Sequence, residues 1–294
     1  MTESTVAEAV RPGAALADED IPIAHRERHI AGLPASAWPR IVAPLLLDIA
    51  FLLLWTAVVR IKGIQPYILP DPLLIARTLV SDWHTLSGSL WITLSISLAA
   101  LTAAVVMGLL LAVLFTQSKW LELSLFPYAI VLQVTPIVAI APLIIIWADN
   151  VTVSLLICAW LVAFFPILSN TVIGLKSADS NLRDLFQLYK ASPWQTFRYL
   201  LAPSALPYFM AGLKIAGGLS LVGAVVAEFT AGTAGRETGL ASRILESSFR
   251  TEIPMMFAAL LLVSLLGIVI FIVFAALSRA VLGHWHESEM RRER

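Results

Sequence analysis

The sequence predicts an all-α integral membrane protein with six transmembrane helices. Of its 294 residues, 59% are hydrophobic and 14% are charged, and the mean hydropathy is +0.84. Soluble domains have about a quarter charged residues and under half apolar ones. Six apolar stretches supply the ~20 residues that a helix needs to cross a bilayer. They are 41–59, 89–115, 123–147, 151–175, 208–232 and 255–282.

Polar tails flank the predicted membrane domain of residues 41–282. Residues 1–40 contain no apolar core of the signal-peptide type, so we expect a disordered cytoplasmic tail. Residues 283–294 are expected to form a second cytoplasmic tail. The single cysteine, Cys158, lies in an apolar run, and we expect it to pack against neighbouring helices.

The basic residues predict the orientation, because Lys and Arg stay preferentially on the cytoplasmic side of a membrane. With the N-terminus inside, the inner segments contain 13 Lys and Arg and the outer segments contain 6. One more, Lys214, lies in the fifth span and is expected to extend its amine towards the inner interface. Both termini and the polar loop 176–206 are therefore predicted in the cytoplasm.

Several chemistries have no signature in the sequence. None of the five lysines follows a glycine, so the Gly-Lys-Ser/Thr loop that cradles nucleotide phosphates is absent. Energy is therefore expected from another subunit or from an ion gradient. The histidines form no His-Glu-x-x-His pattern, and no dense basic stretch points to a nucleic acid. We expect this chain to bind no metal and no cofactor.

The polar loop contains a short helix with one apolar face. Large apolar residues recur at helical spacing: Leu182, Leu185, Phe186 and Tyr189. The opposite side is polar: Arg183, Asp184, Gln187 and Lys190. Such a face either rests on the protein's own spans and the lipid headgroups, or docks on a cytoplasmic partner. The residues alone leave both alternatives open.

A second helix is predicted to begin at Pro193. Ser192 and Gln195 have the spacing of a capping box, and proline at the first helical position loses no hydrogen bond. Trp194, Phe197 and Leu201 then share one side. Pro203 and Pro207 are expected to bend the chain back into the membrane.

The spacing of this loop resembles that of ATP-binding-cassette importer permeases, whose pattern is Glu-Ala-Ala, three residues, Gly, nine residues, then Ile-x-Leu-Pro. Asp184, Leu185 and Phe186 stand at the Glu-Ala-Ala positions and Lys190 at the Gly. The last part of the pattern falls on Leu200, Ala202 and Pro203. Only the final proline is identical, and Lys190 is the largest departure.

Other segments resemble the nitrate/sulfonate/taurine-type permeases, and the resemblance extends over about residues 65–285. It is carried by the segments 67–72, 135–147, 164–171 and 226–229. Relatives often have Trp-Phe-Gly where this chain has Trp147-Ala148-Asp149. They have Gly-Leu-Gly where this chain has Gly239-Leu240-Ala241.

The resemblance implies a type I ABC importer permease-like fold in the bacterial plasma (inner) membrane, with a cytoplasmic coupling helix. It also implies a permease homodimer, two copies of an ATPase subunit that uses ATP, and an extracytoplasmic solute-binding protein. The implied ATPase-coupling loop comprises Leu182, Asp184, Leu185, Phe186, Tyr189, Lys190, Ala191, Ser192, Trp194 and Pro203.

Prolines within spans predict a solute path. Pro136, Pro142 and Pro166 free backbone carbonyls, and such breaks persist where neighbours or a wet cavity satisfy them. Polar residues near the breaks and in the fifth span are the candidate lining: Gln133, Thr135, Ser169, Asn170, Ser220 and Glu228. The alternative is that these side chains bond between helices and touch no solute.

Small residues recur at every fourth position of the fifth span, ending at an acid: Gly212, Ala216, Ser220, Ala224 and Glu228. This stripe packs either within one chain or at a dimer seam. Glu228 is expected to act in an outer gate or to lie at the interface as an exposed carboxylate. Asp48 in the first span is expected to make a polar contact to another span.

The leading interpretation is the membrane subunit of an ATP-driven importer that works by alternating access. An ion-coupled secondary transporter is the rival, and it would require more buried carboxylates and an inverted repeat. A membrane-embedded enzyme would require a nucleophile–base pair or a metal cluster. Nitrate, taurine or other sulfonates, and pyrimidine or vitamin precursors remain open as solutes. The lack of intramembrane Arg and Lys clusters favours an organic heterocycle.

Overall fold

The computed structural model describes residues 29–30, 33–34, 38–232 and 238–283. Most of the predicted N-terminal tail, and the C-terminal tail from residue 284, lie outside the described residues. The chain divides into two compact units, Met1–Leu54 and Trp55–Arg294. In the first unit, strand β1 (His29–Ile30) pairs antiparallel with β2 (Leu33–Pro34), and most of the first helix follows.

The described residues otherwise form α-helices in the following order. They are α1 (Trp38–Ile61), α2 (Pro72–Ser81), α3 (Trp83–Gln117), α4 (Lys119–Val134), α5 (Ile137–Ala148), α6 (Val151–Lys176), α7 (Ser180–Leu188), α8 (Pro193–Thr196), α9 (Ala202–Ala231), α10 (Leu240–Phe249) and α11 (Ile253–Leu282). A π-helical turn, Phe197–Leu201, joins α8 to α9.

The six predicted spans correspond to these helices. Five helical segments are long and apolar enough to cross a membrane, and α4 with α5 makes a sixth if the pair is one span. That pair is bent by 102° at its break. Thr135 there is extended (φ −66°, ψ 122°), as expected for a residue that precedes a proline. Pro136 is the N-cap of α5, which begins at Ile137. The expectation of an all-α membrane fold is confirmed.

Close packing of α6 with α3 and α9 forms the core of the second unit. Gly223 approaches the backbone of Ala159 so closely that an added Cβ would lie 2.8 Å from its Cα atom. A Cβ on Gly212 would lie 2.8 Å from the Pro166 carbonyl oxygen. All five residues of the small-residue stripe on α9 are buried within this chain, so the stripe packs internally. Cys158 is buried beside it, as predicted.

Not every proline interrupts its helix. Pro142 lies inside α5 and Pro166 inside α6, and both helices continue. The chain also stays helical through Pro203 and Pro207, with the π-helical turn directly before them. A bend at these two prolines was expected, whereas the structure accommodates them in one continuous helical segment from residue 193 to residue 231.

Candidate functional site

The α7–α8 knob, residues 179–201, is held in shape by local hydrogen bonds. The Asp179 carboxylate caps α7 by accepting from the N–H of Asn181 at 2.7 Å and of Leu182 at 3.3 Å. At the other end, the N–H of Lys190 donates to the Gln187 carbonyl and that of Ala191 to the Phe186 carbonyl, both at 2.9 Å. This pair of bonds is a Schellman motif.

Lys190 therefore occupies a position that favours glycine. Its φ is +52°, in the left-handed region, which a Schellman motif requires of the residue after the helix cap. The same position carries Gly in the permease loop pattern. Asp149, at another position where relatives have Gly, has φ +50°. The backbone conformation is thus retained at both positions although the glycines are not.

The predicted capping box at the start of α8 is confirmed. The N–H of Gln195 donates to Ser192 Oγ at 3.2 Å, and the N–H of Ser192 donates to Gln195 Oε1 at 2.7 Å. The helix begins at Pro193, as the sequence predicts. Trp194 and Phe197 stack, with 5.8 Å between ring centroids.

The apolar face of the knob is uncovered. No residue of α7 is buried, and Leu185 is 44% and Tyr189 78% exposed. Trp194 on α8 is 67% exposed, and Asp184 and Lys190 are exposed as well. A pocket of about 360 Å³ lies along this face, lined by Leu185, Phe186, Tyr189, Ala191, Gln195 and Tyr199. The face therefore does not rest on the chain's own described spans.

Polar contacts attach the knob to the membrane helices. Arg183 Nη2 donates to the Leu175 carbonyl at 2.9 Å, near the C-terminus of α6, where a cation is favoured by the helix dipole. Lys176, the last residue of α6, pairs with Glu122 near the start of α4. Helix α6 also packs along α9 in the core.

A pocket of about 320 Å³ lies at the α4–α5 break. Its lining includes Gln133, Thr135, Pro136, Val162, Pro166 and Leu219. The structure thus brings two of the predicted path residues together, Gln133 and Thr135. The Thr135 hydroxyl donates to the Val131 carbonyl at 2.7 Å. The Gln133 amide makes no hydrogen bond to another described residue, so it has free donors and acceptors.

The other predicted path residues lie apart from this pocket. Asn170 Nδ2 donates to the Pro166 carbonyl of its own helix at 2.8 Å. The buried Ser220 hydroxyl donates to the Gly217 carbonyl at 2.9 Å. Ser169 is half-buried. None of the three is among the lining residues.

Glu228 is fully buried and lies at the centre of a polar cluster, the Glu228 clasp, formed with Thr93, Leu240 and Ala241. Thr93 Oγ1 donates to Glu228 Oε1 at 2.7 Å and accepts from the N–H of Leu240 at 2.9 Å. The N–H of Ala241 donates to Glu228 Oε2 at 2.8 Å. The carboxylate and the hydroxyl thus satisfy backbone donors at the start of α10. An exposed interfacial position for Glu228 is wrong.

Gly239 completes the clasp. A Cβ at this position would overlap the Glu228 carboxylate, so the residue before α10 must be glycine for the acid to reach the helix. Sequence reasoning identified Glu228 but missed Thr93, which is 135 residues away along the chain. The only sequence signal was the glycine at the start of the Gly239-Leu240-Ala241 segment.

The remaining two predicted polar contacts stay predictions. Asp48 is exposed on α1. Lys214 is half-buried on α9, compatible with an amine that extends to the interface.

The broken apolar spans, the pocket at the break and the uncovered knob define a membrane subunit of a transport system. The family model described as "Binding-protein-dependent transport system inner membrane component" matches residues 104–283. The chain belongs to this family of ABC importer permeases. The predicted family is therefore confirmed, and so is its placement in the membrane with several helices.

Similar curated proteins transport different small solutes. The chain is 34% identical to the riboflavin transport system permease protein of Chloroflexus aurantiacus, over 92% of this chain and 99% of that protein. It is 33% identical to the formylaminopyrimidine transport permease protein of Halalkalibacterium halodurans, over 81% of this chain and 94% of that protein.

A solved structure shares the fold. The chain matches a protein described as an amino acid ABC transporter with histidines, with a TM-score of 0.56 and 16% identity. The match covers 73% of this chain and 97% of the other. At this identity the likeness establishes the fold alone.

Proposed function

We propose that this chain is the permease subunit of an importer that a separate ATPase drives, and that it moves a planar nitrogen heterocycle into the cytoplasm. The observation that carries the proposal is the uncovered apolar face of the α7–α8 knob. Exposure of apolar surface to water is unfavourable by about 25 cal/mol per Å², and docking on a partner would recover this free energy. The groove beside Leu185 and Tyr189 fits a helical or loop element of a partner.

The assembly would contain two copies of the permease, two ATPase subunits and an extracytoplasmic binding protein. Family membership supports the ATPase and the binding protein, while the homodimer follows from the resemblance alone. The excess of basic residues on one side supports cytoplasmic termini and a cytoplasmic knob. ATP would be bound by the ATPase subunits, since this chain has no phosphate loop.

The solute class is supported by the two relatives and by the pocket. Riboflavin and formylaminopyrimidine are both flat nitrogen heterocycles, and their permeases are similar to this chain along most of its length. The pocket at the α4–α5 break is mainly apolar, and its free Gln133 amide can both donate and accept at the edge of a heterocycle. The described residues that line this pocket include no cation that would select an anion such as nitrate or a sulfonate.

Movement would pass from the knob to the break. Closure of the ATPases would push the segment around Asp184–Trp194, and Arg183 and Lys176 would transmit the push to α6 and α4. Because regular helical hydrogen bonding is already interrupted at the α4–α5 break, the two helices would change angle without breaking a regular helix. The Glu228 clasp would hold α3, α9 and α10 together as the outer gate of this cycle.

Reconstitution tests the function. The permease, its ATPase and its binding protein are placed in proteoliposomes, and uptake of labelled riboflavin and formylaminopyrimidine is measured beside nitrate and taurine. We expect uptake of a heterocycle that requires ATP and survives collapse of ion gradients by ionophores. Uptake that needs a gradient and no ATP would support the secondary transporter instead, and uptake of nitrate or taurine alone would refute the solute class.

The path is tested by two alanine substitutions. Gln133→Ala is expected to change the relative uptake of the two heterocycles, because it removes the free amide from the pocket. Asn170→Ala removes an amide that is bonded within its own helix, and it serves as the comparison. Asn170→Ala is expected to leave selectivity unchanged. Unchanged uptake and selectivity in Gln133→Ala would remove Gln133 from the path, and altered selectivity in Asn170→Ala would contradict its position outside the pocket.

A further inference from the structure

A second pocket, which the proposed transport path does not use, lies between the first turns of α3 and the start of α10. This α3–α10 pocket has a volume of about 420 Å³. Its polar lining consists of His84, Thr85, Ser89, Thr238 and Arg243, and Trp91 and Ile92 form an apolar side.

Two donors of this pocket have no acceptor within the described part of the chain. The Thr238 hydroxyl is buried without a hydrogen-bond partner, on a residue that is 9% exposed. Arg243 Nε donates to Ser89 Oγ at 3.1 Å and Nη1 to Glu246 at 2.7 Å, which leaves Nη2 without a bond. A buried donor without an acceptor is costly, so the Thr238 hydroxyl favours a ligand that accepts a hydrogen bond. The Arg243 side chain is partly exposed, and its Nη2 offers a second, charged donor to the same ligand.

The local charge favours an anionic ligand. Glu246 pairs with Arg243 and also with Arg250, each at 2.7 Å, so two guanidinium groups share one carboxylate. The cluster therefore keeps one positive charge. The other titratable lining residue is His84. Asp82, at the start of α3, accepts from Ser81 and is not part of the lining.

The pocket lies at the depth of lipid headgroups. Helix α3 has 35 residues and is therefore about 52 Å long, whereas the hydrocarbon core is about 30 Å thick. The predicted apolar span begins at residue 89, so the first turns of the helix precede it and extend beyond the hydrocarbon. Trp83 and Trp91, which are 49% and 69% exposed, are typical of the aromatic belt at this level. This placement holds for either orientation of the chain.

We infer that the α3–α10 pocket binds the phosphate group of an anionic phospholipid. Arg243 Nη2 and the Thr238 hydroxyl donate to the phosphate oxygens, and Trp91 and Ile92 contact the glycerol and acyl region. Free phosphate presents the same oxygens but has nothing to cover the apolar side. A zwitterionic lipid brings a cation that the net positive cluster repels.

The test measures binding of phosphatidylglycerol to the full-length chain in phosphatidylcholine nanodiscs, with inorganic phosphate as competitor. We expect saturable binding of one phosphatidylglycerol per chain. Arg243→Gln is expected to raise the Kd about tenfold or more, because a charge-assisted bond is lost. Gly88 also lines the pocket, and a Cβ there would meet no atom within 4 Å. Gly88→Leu should therefore weaken binding by filling the pocket without removing an existing contact.

Arg250→Gln is the matched control, because it removes the same charge from the same Glu246 while Arg250 lies outside the pocket lining. Its Kd should rise clearly less than that of Arg243→Gln, because the cluster loses its net charge while both donors in the pocket remain. Equal weakening by Arg250→Gln and Arg243→Gln would show diffuse attraction and overturn the site. Unchanged binding in Gly88→Leu, or tight binding of inorganic phosphate without phosphatidylglycerol, would also overturn it.

Discussion

At the residue scale, the Glu228 clasp shows why a carboxylate can be buried in an apolar span. Each carboxylate oxygen of Glu228 accepts a hydrogen bond, one from Thr93 Oγ1 and the other from the N–H of Ala241. The partial positive charge at the start of α10 stabilises the carboxylate further. Gly239 provides the space. Hydropathy could identify Glu228 as an unusual residue, but its partners come from another helix and from backbone N–H groups. No local pattern encodes such partners.

Glu228→Gln is expected to lower the thermal unfolding midpoint of the detergent-solubilised protein. The amide keeps one acceptor but presents an NH₂ group to a hydrogen-bond donor, which costs about 1–3 kcal/mol for a buried group. Glu252→Gln makes the same chemical change at an exposed residue and should leave the midpoint unchanged. Equal midpoints for wild type and Glu228→Gln would contradict the clasp.

The backbone conformation of Lys190 is expected to lower the stability of the protein. Its left-handed backbone costs a non-glycine residue about 1 kcal/mol. Lys190→Gly is therefore expected to stabilise the protein by about this amount in denaturant unfolding. Lys190→Ala removes the same side chain but keeps the strain, so it should give no gain. A gain of the same size from alanine would show that the lysine side chain, and not the backbone, is responsible.

At the scale of elements, hydropathy placed the six spans because each is a continuous local signal. The knob was also predictable, since its caps and its apolar face lie within about 20 residues of sequence. The 102° bend was not, because Pro136 marks a break without fixing the angle between α4 and α5. Pro203 and Pro207 do not interrupt the helix, since the chain continues through them with a π-helical turn directly before Pro203.

Alanine substitutions at two glycines of α9 are expected to change the stability of the protein in opposite directions. Gly223→Ala is expected to destabilise the protein, because its Cβ would lie 2.8 Å from the Ala159 backbone. Gly218→Ala, where a Cβ meets nothing within 4 Å, should stabilise it by up to about 1 kcal/mol through helix propensity. Thermal unfolding of both variants checks this, and a Gly223→Ala protein as stable as the wild type would contradict the close packing of α9 on α6.

The start of α2 gives a pH dependence. The N–H of Leu73 lowers the pKa of Asp71 below its usual value, and the Arg60 guanidinium at 3.0 Å lowers it further. The folded state therefore favours the carboxylate. Its stabilisation is fully present above the unfolded pKa of about 4 and is lost as the pH falls through the lower folded pKa.

The wild type should therefore have a higher unfolding midpoint than Asp71→Asn, by an amount that is constant from about pH 5 to 6. This difference in midpoint should become smaller below about pH 4. Thermal scans of the two proteins at each pH measure the difference, and titration of the other carboxylates largely cancels in it. A difference that grows on acidification would show that the sign of the Asp71 effect is wrong.

At the scale of the whole molecule, the chain has a packed core and one uncovered apolar surface. Its core is closed, with the stripe on α9 buried against its own helices, while the apolar face of α7 has no cover in the described structure. The sequence left open whether this face rests on the protein itself, because a periodic pattern gives the face of a helix but not its neighbour. The solute is hardest to infer, since few polar groups line the path.

The central claim is that a partner ATPase grips the α7–α8 knob, and Leu185→Asp tests it most directly. A charge at Leu185 faces the groove, while Gln187→Asp adds the same charge on the polar side of α7. ATP-driven uptake is measured in proteoliposomes with the ATPase and binding protein present. We predict that Leu185→Asp loses at least about nine-tenths of uptake, as a buried unpaired charge costs several kcal/mol, and that Gln187→Asp retains it. Full ATP-driven uptake by Leu185→Asp would contradict the account.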